Sequence, residues 1–466
     1  MPNEKAQTLT VAEAFAETSK ALQQFNIERI RVDGLSCGNA CDEEKFRMLT
    51  EQEFMREFVF HSRPCIIVGA LCDWPALQRW RDDRYLFDLD EKLPMVYEKE
   101  RTSKGNGEIN ENDSFHEDEE IVKESDAEDS KNGTSNNEAE SQGTLGPRRV
   151  TVALTPNGRA DAVTYVTYNA VKNESQVHDK LEGRSDFVVT EKLFMSAAEV
   201  RVTLPELYRL LRANPLVPPL KSQFVDLRRP QCSIAYAQMQ NNCLAEEYQH
   251  LHVDIDTALD RFGTRVFGGK HEAANIWLGT PASVSTMHQD WVENLYAVVR
   301  GVKEFILVPP WEGVFVPKPE LPAAAFTLKA AANCKEGEEE YIFSDSPTRD
   351  GTSVPWMDVE LTPAAVDDPL HIKEELRDKL HPLIAYVQPG EVLYLPALWL
   401  HRVAQHADSE DSRVIEEAST EEIAKVSRHD QKHSAPLPLI AAVNYWYDMS
   451  FTNPAVVMLR EFGLLL

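Results

Sequence analysis

From about residue 230 the chain is a succession of short β-forming runs broken by tight turns, without helical patterns between them. Ala274–Leu278 is one run. Asn294–Val299 meets Arg300-Gly301 and resumes as Val302–Val308, which ends at the breaker Pro309-Pro310. Leu383–Val387 meets Pro389-Gly390-Glu391 and resumes as Val392–Leu395, and Trp399–Val403 and Ile440–Tyr447 add two more runs. Gly and Pro between such runs signal chain reversal, so both interrupted pairs read as hairpins. A parallel sheet would need crossover helices. Their lack predicts an antiparallel barrel or jelly roll over residues 230–450.

Upstream the pattern is mixed. Thr10 with Glu13, Thr50 with Glu53 and Thr203 with Glu206 each place a capping box before a periodic apolar run. The β-like runs Cys65–Val68 and Val150–Leu154 lie between them. Residues 1–100 read as an α/β extension, continued as a helical part over 147–229. Residues 451–466 read as a C-terminal helix. Its apolar end, Phe462–Leu466, is expected to pack on its own domain or on a second copy in a homodimer.

Charge sorts the rest. There are 76 acidic and 48 basic residues, for a net charge of −28. Residues 101–146 hold 13 acids against 4 bases and few apolar residues, and read as a disordered insertion. Residues 406–438 hold 8 acids against 4 bases and read as a second insertion, because β-like sequence flanks it. The remaining residues still carry −15. That balance argues against nucleic acid or an anionic membrane as the main partner. No apolar run approaches the ~18 residues of a membrane span. The start, Met1-Pro2-Asn3-Glu4-Lys5, has no secretory pattern, so a cytoplasmic or nuclear location is expected. The seven cysteines include no C-x-x-C and no zinc spacing; they read as free thiols, with a Cys37/Cys41 redox pair as the alternative.

A jelly roll can hold a metal on two histidines and a carboxylate in the form His-x-Asp/Glu plus a distant His, with the opposite face of the metal open. Alternate residues of a strand share a face, which would bring the His-x-Asp pair together. Four matches occur, at His116, His252, His288 and His406, where 13 histidines and 76 acids in 466 residues predict about two by chance. His116 and His406 fall in the acidic insertions. His252 follows a polar run that reads as helix or loop, where residues i and i+2 diverge. His288-Gln289-Asp290 follows a β run. His401 closes the apolar stretch Leu393–Leu400 and is the candidate third ligand. Lys303, just past the Arg300-Gly301 turn, could meet the far carboxylate of a dicarboxylate co-substrate.

Longer stretches carry a resemblance. They are Arg63–Ile67, Trp74–Gln78, Val152–Gly158, Ala160–Val163, Asn275–Gly279, Glu293–Tyr296, Glu391–Trp399 and Asn444–Met449. On these, over most of 55–98 and 148–460, the chain resembles the jumonji-C family of Fe(II)- and 2-oxoglutarate-dependent oxygenases. The resemblance implies a cupin-like double-stranded β-helix with an N-terminal α/β extension and a C-terminal helix. It implies His288, Asp290 and His401 as iron ligands and Lys303 as partner of the 2-oxoglutarate tail. Ser285, where the family usually has Thr, and Tyr236 would add hydroxyls. Asn294, Asn444 and Trp446 would line the co-substrate pocket. The implied reaction consumes 2-oxoglutarate and O2, yields succinate and CO2, and hydroxylates a substrate carbon.

Within the family the chain looks similar to a (3S)-lysyl hydroxylase described also as a peptidase, although no hydrolytic constellation is visible. The implied partner is a protein with an accessible lysine, of the developmentally regulated GTP-binding type. Histone lysine demethylation and hydroxylation of a transfer-RNA base are the alternatives, the latter disfavoured by charge. Trp291-Val292 and Arg402 depart from the relatives' pattern and bear on substrate shape, not on the metal ligands.

Overall fold

A computed structural model describes residues 26–36, 45–89, 148–170, 187–329, 341–408, 437–452 and 454–461. Residues 1–89 and 148–466 constitute one unit, and it alone is treated below. The Thr10 capping box, His116, Cys37, Cys41, Cys334 and the insertion 101–146 lie outside the described residues.

In chain order the first strands are β1 (Glu28–Val32), β2 (Arg47–Leu49) and β3 (Cys65–Ile67). Next come β4 (Arg149–Thr155), β5 (Ala162–Ala170), β6 (Phe187–Ser196), β7 (Ala198–Thr203), β8 (Phe224–Asp226) and β9 (Ile234–Tyr236). Then follow β10 (Ala273–Gly279), β11 (Ser285–His288), β12 (Val292–Arg300) and β13 (Val302–Val308). The short strands β14 (Glu320–Ala325), β15 (Leu328–Lys329), β16 (Ile342–Phe343) and β17 (Ser353–Pro355) precede β18 (Leu383–Val387), β19 (Val392–Leu395), β20 (Leu400–His406) and β21 (Ile440–Asp448).

Eight strands make the expected jelly roll, as two antiparallel halves ordered β10-β21-β12-β19 and β11-β20-β13-β18. The first half is extended by β3, β1 and β2. Neither expected hairpin forms. β12 pairs with β19 and β21, whereas β13 pairs with β18 and β20. β18 and β19 likewise belong to different halves. The turns at Gly301 and Gly390 are real, but each carries the chain from one sheet to the other. At the first, the register of β12 slips between Val298 and Arg300 and Gly301 adopts φ +71°, the bulge-plus-glycine corner by which a strand changes sheets. A Cβ on Gly301 would also lie 2.6 Å from an Ile440 side-chain carbon.

Strand parity builds three apolar layers. Tyr296, Val298, Phe305, Leu307, Leu393 and Leu395 face the interior of the roll. Their alternates on the large sheet, such as Leu295, Ala297 and Tyr394, pack outward with Phe54, Phe58 and Phe262. Those on the small sheet, Ile306, Val308 and Leu400, pack outward with Leu361, Leu376 and Leu380. Coverage on both faces explains why β10 and β12 read as continuous apolar runs rather than alternating ones.

Other expectations need adjusting. Among the described residues of 147–229, strands β4 to β8 predominate and only Leu204–Ala213 is a sizeable helix, opened by the Thr203/Glu206 box. Long β-branched stretches paired in two further sheets override the helical reading. A helix, Ala258–Phe267, also precedes the roll. The Thr50/Glu53 box forms with both of its hydrogen bonds, a cap worth ~1 kcal/mol. His406 is the last residue of β20, not part of an insertion, and pairs with Glu304 at 2.9 Å; residues 409–436 lie outside the described set. The helix Pro454–Glu461 buries Val456 and Leu459 against Leu398 and Met449 of its own unit. None of the described cysteines, Cys65, Cys72, Cys232 and Cys243, is in a disulfide. No described helix is long and apolar enough to cross a membrane.

Candidate active site

His288 and His401 sit directly opposite each other on β11 and β20, so one register position sets both rings on the inner face. Their ring centroids are 4.2 Å apart. Asp290 lies just past the end of β11, not on it, so strand parity is not what aims its side chain. The turn toward β12 does so, tied down by Leu398 N–H donating to the Asp290 carbonyl at 2.8 Å. One Asp290 carboxylate oxygen is 3.5 Å from His401 Nε2 and the other is 4.0 Å from His288 Nε2.

The imidazole orientations are fixed from behind. His288 Nδ1 faces the Thr286 carbonyl at 2.7 Å and His401 Nδ1 faces the Trp399 carbonyl at 3.0 Å. A carbonyl can only accept, so each Nδ1 carries the proton and each Nε2 offers its lone pair toward Asp290. Burial, and then the neighbouring His288, push His401 down to about 4, so its ring is neutral at ordinary pH. Three donor atoms within 4.8 Å of one another, two imidazole and one carboxylate, match the two-His-one-carboxylate set for a mononuclear metal such as iron(II).

Further along the inner face lies Lys303. By parity it shares the side of Phe305, and in register it faces Gln405, four residues beyond His401 on β20 and thus ~13 Å along the strand. Lys303 is 0% exposed. Its Nζ donates to Gln405 Oε1 at 2.8 Å and Tyr236 Oη at 3.1 Å and lies 5.9 Å from the Tyr296 ring centre. Among the described residues no carboxylate is bonded to it, and burial lowers it from 10.5 to about 7. Tyr236 and Ser285 line the same cavity, so hydroxyl groups and the ammonium that bonds to Tyr236 gather here. A buried cation without a counter-charge is costly, and its neighbourhood suits a carboxylate from outside.

A cavity of about 330 Å³ is lined by His288, Asp290, His401, Tyr236, Ser285, Asn294, Trp446 and others; Lys303 is not part of its lining but bonds to Tyr236, which is. Asn444 is fully buried at its wall, donating to Asn294 Oδ1 at 3.3 Å and accepting from Trp277 Nε1 at 2.8 Å. All nine sequence candidates thus gather at one site.

Sequence reasoning missed Gln405, Tyr296 and Trp277. Parity with His401 would point to Gln405, and parity with Asn294 would point to Tyr296. Nothing in the sequence alone marks Trp277. It also missed Asp161, Phe194 and Trp356, which reach the cavity from the loop before β5, from β6 and from just past β17. Among the set-aside motifs, His252 lies on the 3-10 helix Gln249–Asp254, and Asp254 turns away into hydrogen bonds with Arg79, Trp80 and Tyr85.

Residues 51–453 match the family model described as a cupin-like domain. The chain is 28% identical over 411 residues to JmjC domain-containing protein E of Dictyostelium discoideum, covering 88% of this chain and 85% of that one. It is 28% identical over 404 residues to Lysine-specific demethylase JMJ32 of Arabidopsis thaliana, covering 86% and 79%. It is 26% identical over 403 residues to the human Bifunctional peptidase and (3S)-lysyl hydroxylase JMJD7, covering 86% and 82%. With the jelly roll, the inward-facing donor triad and this near full-length match, the chain belongs to the cupin-like domain family, among its jumonji-C proteins.

Proposed function

We propose that this protein is an Fe(II)- and 2-oxoglutarate-dependent hydroxylase of a lysyl side chain, at C3, in a protein substrate. The observation that carries the reading is the buried Lys303, without a carboxylate partner among the described residues, on the same inner face as the His288/Asp290/His401 triad. A dicarboxylate held by the metal at one end would bring its other carboxylate to Lys303.

Iron, when bound, supplies the oxygen chemistry that converts 2-oxoglutarate to succinate and CO2 and places one oxygen atom on substrate carbon. The protein's part is positioning. The Thr286 and Trp399 carbonyls hold the two Nε2 atoms in the ligating tautomer. Lys303, Tyr236 and Ser285 would orient the far carboxylate. Trp277, Tyr296 and Phe305 wall the cavity and exclude water.

Lysine as target is supported by two relatives whose names both specify it. A GTP-binding protein of the developmentally regulated type is the candidate substrate. Demethylation is the second reading, favoured by the name of the Arabidopsis relative. Purified protein with iron(II) and 2-oxoglutarate should release succinate and add 16 Da to a lysine peptide. Loss of 14 Da from an N-methyl-lysine peptide, with formaldehyde, would select demethylation. No succinate, or the same yield from His288→Ala, would sink both.

A further inference from the structure

The sheet ordered β17-β14-β6-β5-β8 has one face that the core does not cover. Along β5, Ala162, Thr164 and Val166 are buried, while Val163, Tyr165 and Thr167 between them stay partly exposed. A sheet face turned to water is ordinarily polar. This one is not. Register sets Phe194 of β6 directly opposite Val163, and Phe224 of β8 directly opposite Tyr165. Residues so paired share a face. The Tyr165 and Phe224 rings stack with centres 5.0 Å apart, and Phe224 is 53% exposed. Phe194 packs in turn on Trp356 at 4.6 Å. Two aromatic pairs thus stand on open sheet, bridged by Val163.

The face is continuous with the cavity that holds the donor triad. Phe194 and Trp356 belong to both, and Ala160 and Asp161, which lead into β5, line the cavity as well. The loop before β8 is fastened to the same segment: Asn157 Nδ2 donates to the Ser222 carbonyl at 2.9 Å and Arg159 Nη1 to Ser222 Oγ at 3.3 Å. The charged groups beside the aromatics are already paired, Lys192 with Asp358, Arg159 with Glu360 and Arg228 with Asp226. Such a surface has little to offer a phosphate backbone. Contiguous exposed apolar surface of this kind marks a protein contact. A cavity of about 330 Å³ admits a side chain, so the flanking residues of a protein substrate lie outside it, and the aromatic face begins at its rim.

We propose that this face docks the polypeptide substrate beside its oxidised residue, and that an aromatic or large aliphatic side chain of the substrate packs on Tyr165 and Phe224. The proposal rests on the protein-hydroxylase reading and adds the element of sequence that the enzyme recognises next to the target. Phe194 and Phe224 are two strand spacings apart and two residues out of register, ~12 Å in all. An extended chain spans that in about four residues, which sets where the apolar side chain belongs.

The test uses the full chain with Zn(II) and 2-oxoglutarate, and two fluorescein-labelled peptides of Gly and Ser around one central Lys. One carries Phe at the fourth residue on either side of the Lys; the control carries Ser there. Fluorescence anisotropy reads binding without turnover. The Phe peptide should bind about tenfold more tightly than the control, as burial of one aromatic side chain allows. Tyr165→Ser together with Phe224→Ser should bring the two peptides to one affinity. The control should bind that variant as it binds the wild type, which shows that the variant is folded. Phe451→Ser, at a 64% exposed ring off this sheet, should keep the preference. Equal binding of the two peptides to the wild type, or a preference that survives the double substitution, would overturn the assignment. Succinate release from the same proteins loaded with iron(II) reports separately on the hydroxylase reading.

Discussion

Replacing Lys303 by Met should make the protein more stable and less able to bind 2-oxoglutarate, and the pH dependence of each effect reveals why. The ammonium is 0% exposed, and burial lowers it from 10.5 to about 7. A drop of that size corresponds to ~4–5 kcal/mol against the charged form. Above pH ~7 the folded protein holds Lys303 neutral, whereas the unfolded chain keeps it protonated up to its ordinary value of 10.5. The unfolded state therefore binds the extra proton in that window, and wild-type stability rises with pH, by about 2 kcal/mol from pH 7 to 9. Lys303→Met lacks this increment. At pH 7 its gain is offset in part, by ~1–3 kcal/mol, because Gln405 Oε1 and Tyr236 Oη lose their partner. The variant's advantage should thus be largest near pH 6–7 and shrink by about 2 kcal/mol at pH 9, as read by denaturant titration without co-substrate. The 2-oxoglutarate carboxylate restores the counter-charge, so wild-type binding should take up a proton and weaken toward ~10-fold per pH unit above 7. Lys303→Met should bind ~30-fold more weakly or worse, with little pH dependence. If wild type and variant show parallel stability profiles from pH 7 to 9, Lys303 does not lie buried and unpaired, and the argument for a dicarboxylate fails.

Adding Mn(II) at about 100 times its dissociation constant should stabilise the wild type by ~2.7 kcal/mol, an effect that His401→Ala should abolish in thermal melts. A Cβ at Gly279 would lie 2.7 Å from Gln405 Nε2 and 2.8 Å from the Tyr236 ring; Gly279→Ala should therefore displace the neighbours of Lys303 and raise the KM for 2-oxoglutarate while leaving Mn(II) binding intact. Equal loss of both in calorimetry would count against that placement. Glu293, buried beneath Tyr394 and the Ala397 N–H, is raised to about 7 by burial. Its folded form keeps a proton that the unfolded chain loses near 4.5, so stability falls as pH rises from 4.5 to 7. Glu293→Gln should be ~3 kcal/mol more stable than wild type at pH 8 and similar at pH 4; equal profiles in denaturant melts would exclude a buried carboxyl of that kind.

Much of the site was legible because its chemistry resides in residue types and short spacings. His288-x-Asp290 could be separated from three other matches by the β run before it, and Lys303 and His401 by their places in apolar runs. Gly301 and Gly390 were legible as turns because few other residues accept positive φ without strain. By itself the sequence determined which residues alternate inward and where the chain reverses. It did not determine which strands pair. A turn states that the chain changes direction; whether it returns along the same sheet or crosses to the other depends on which faces bury apolar area elsewhere. Here β13 finds partners in β18 and β20, about 80 to 100 residues downstream, and that choice, made by packing across the roll, puts Lys303 opposite Gln405. The same holds for His288 opposite His401 and for Asp161, which reaches the cavity from a separate loop. These juxtapositions arise from contacts distant in sequence, to which local propensity is blind, and only the closed roll decides them.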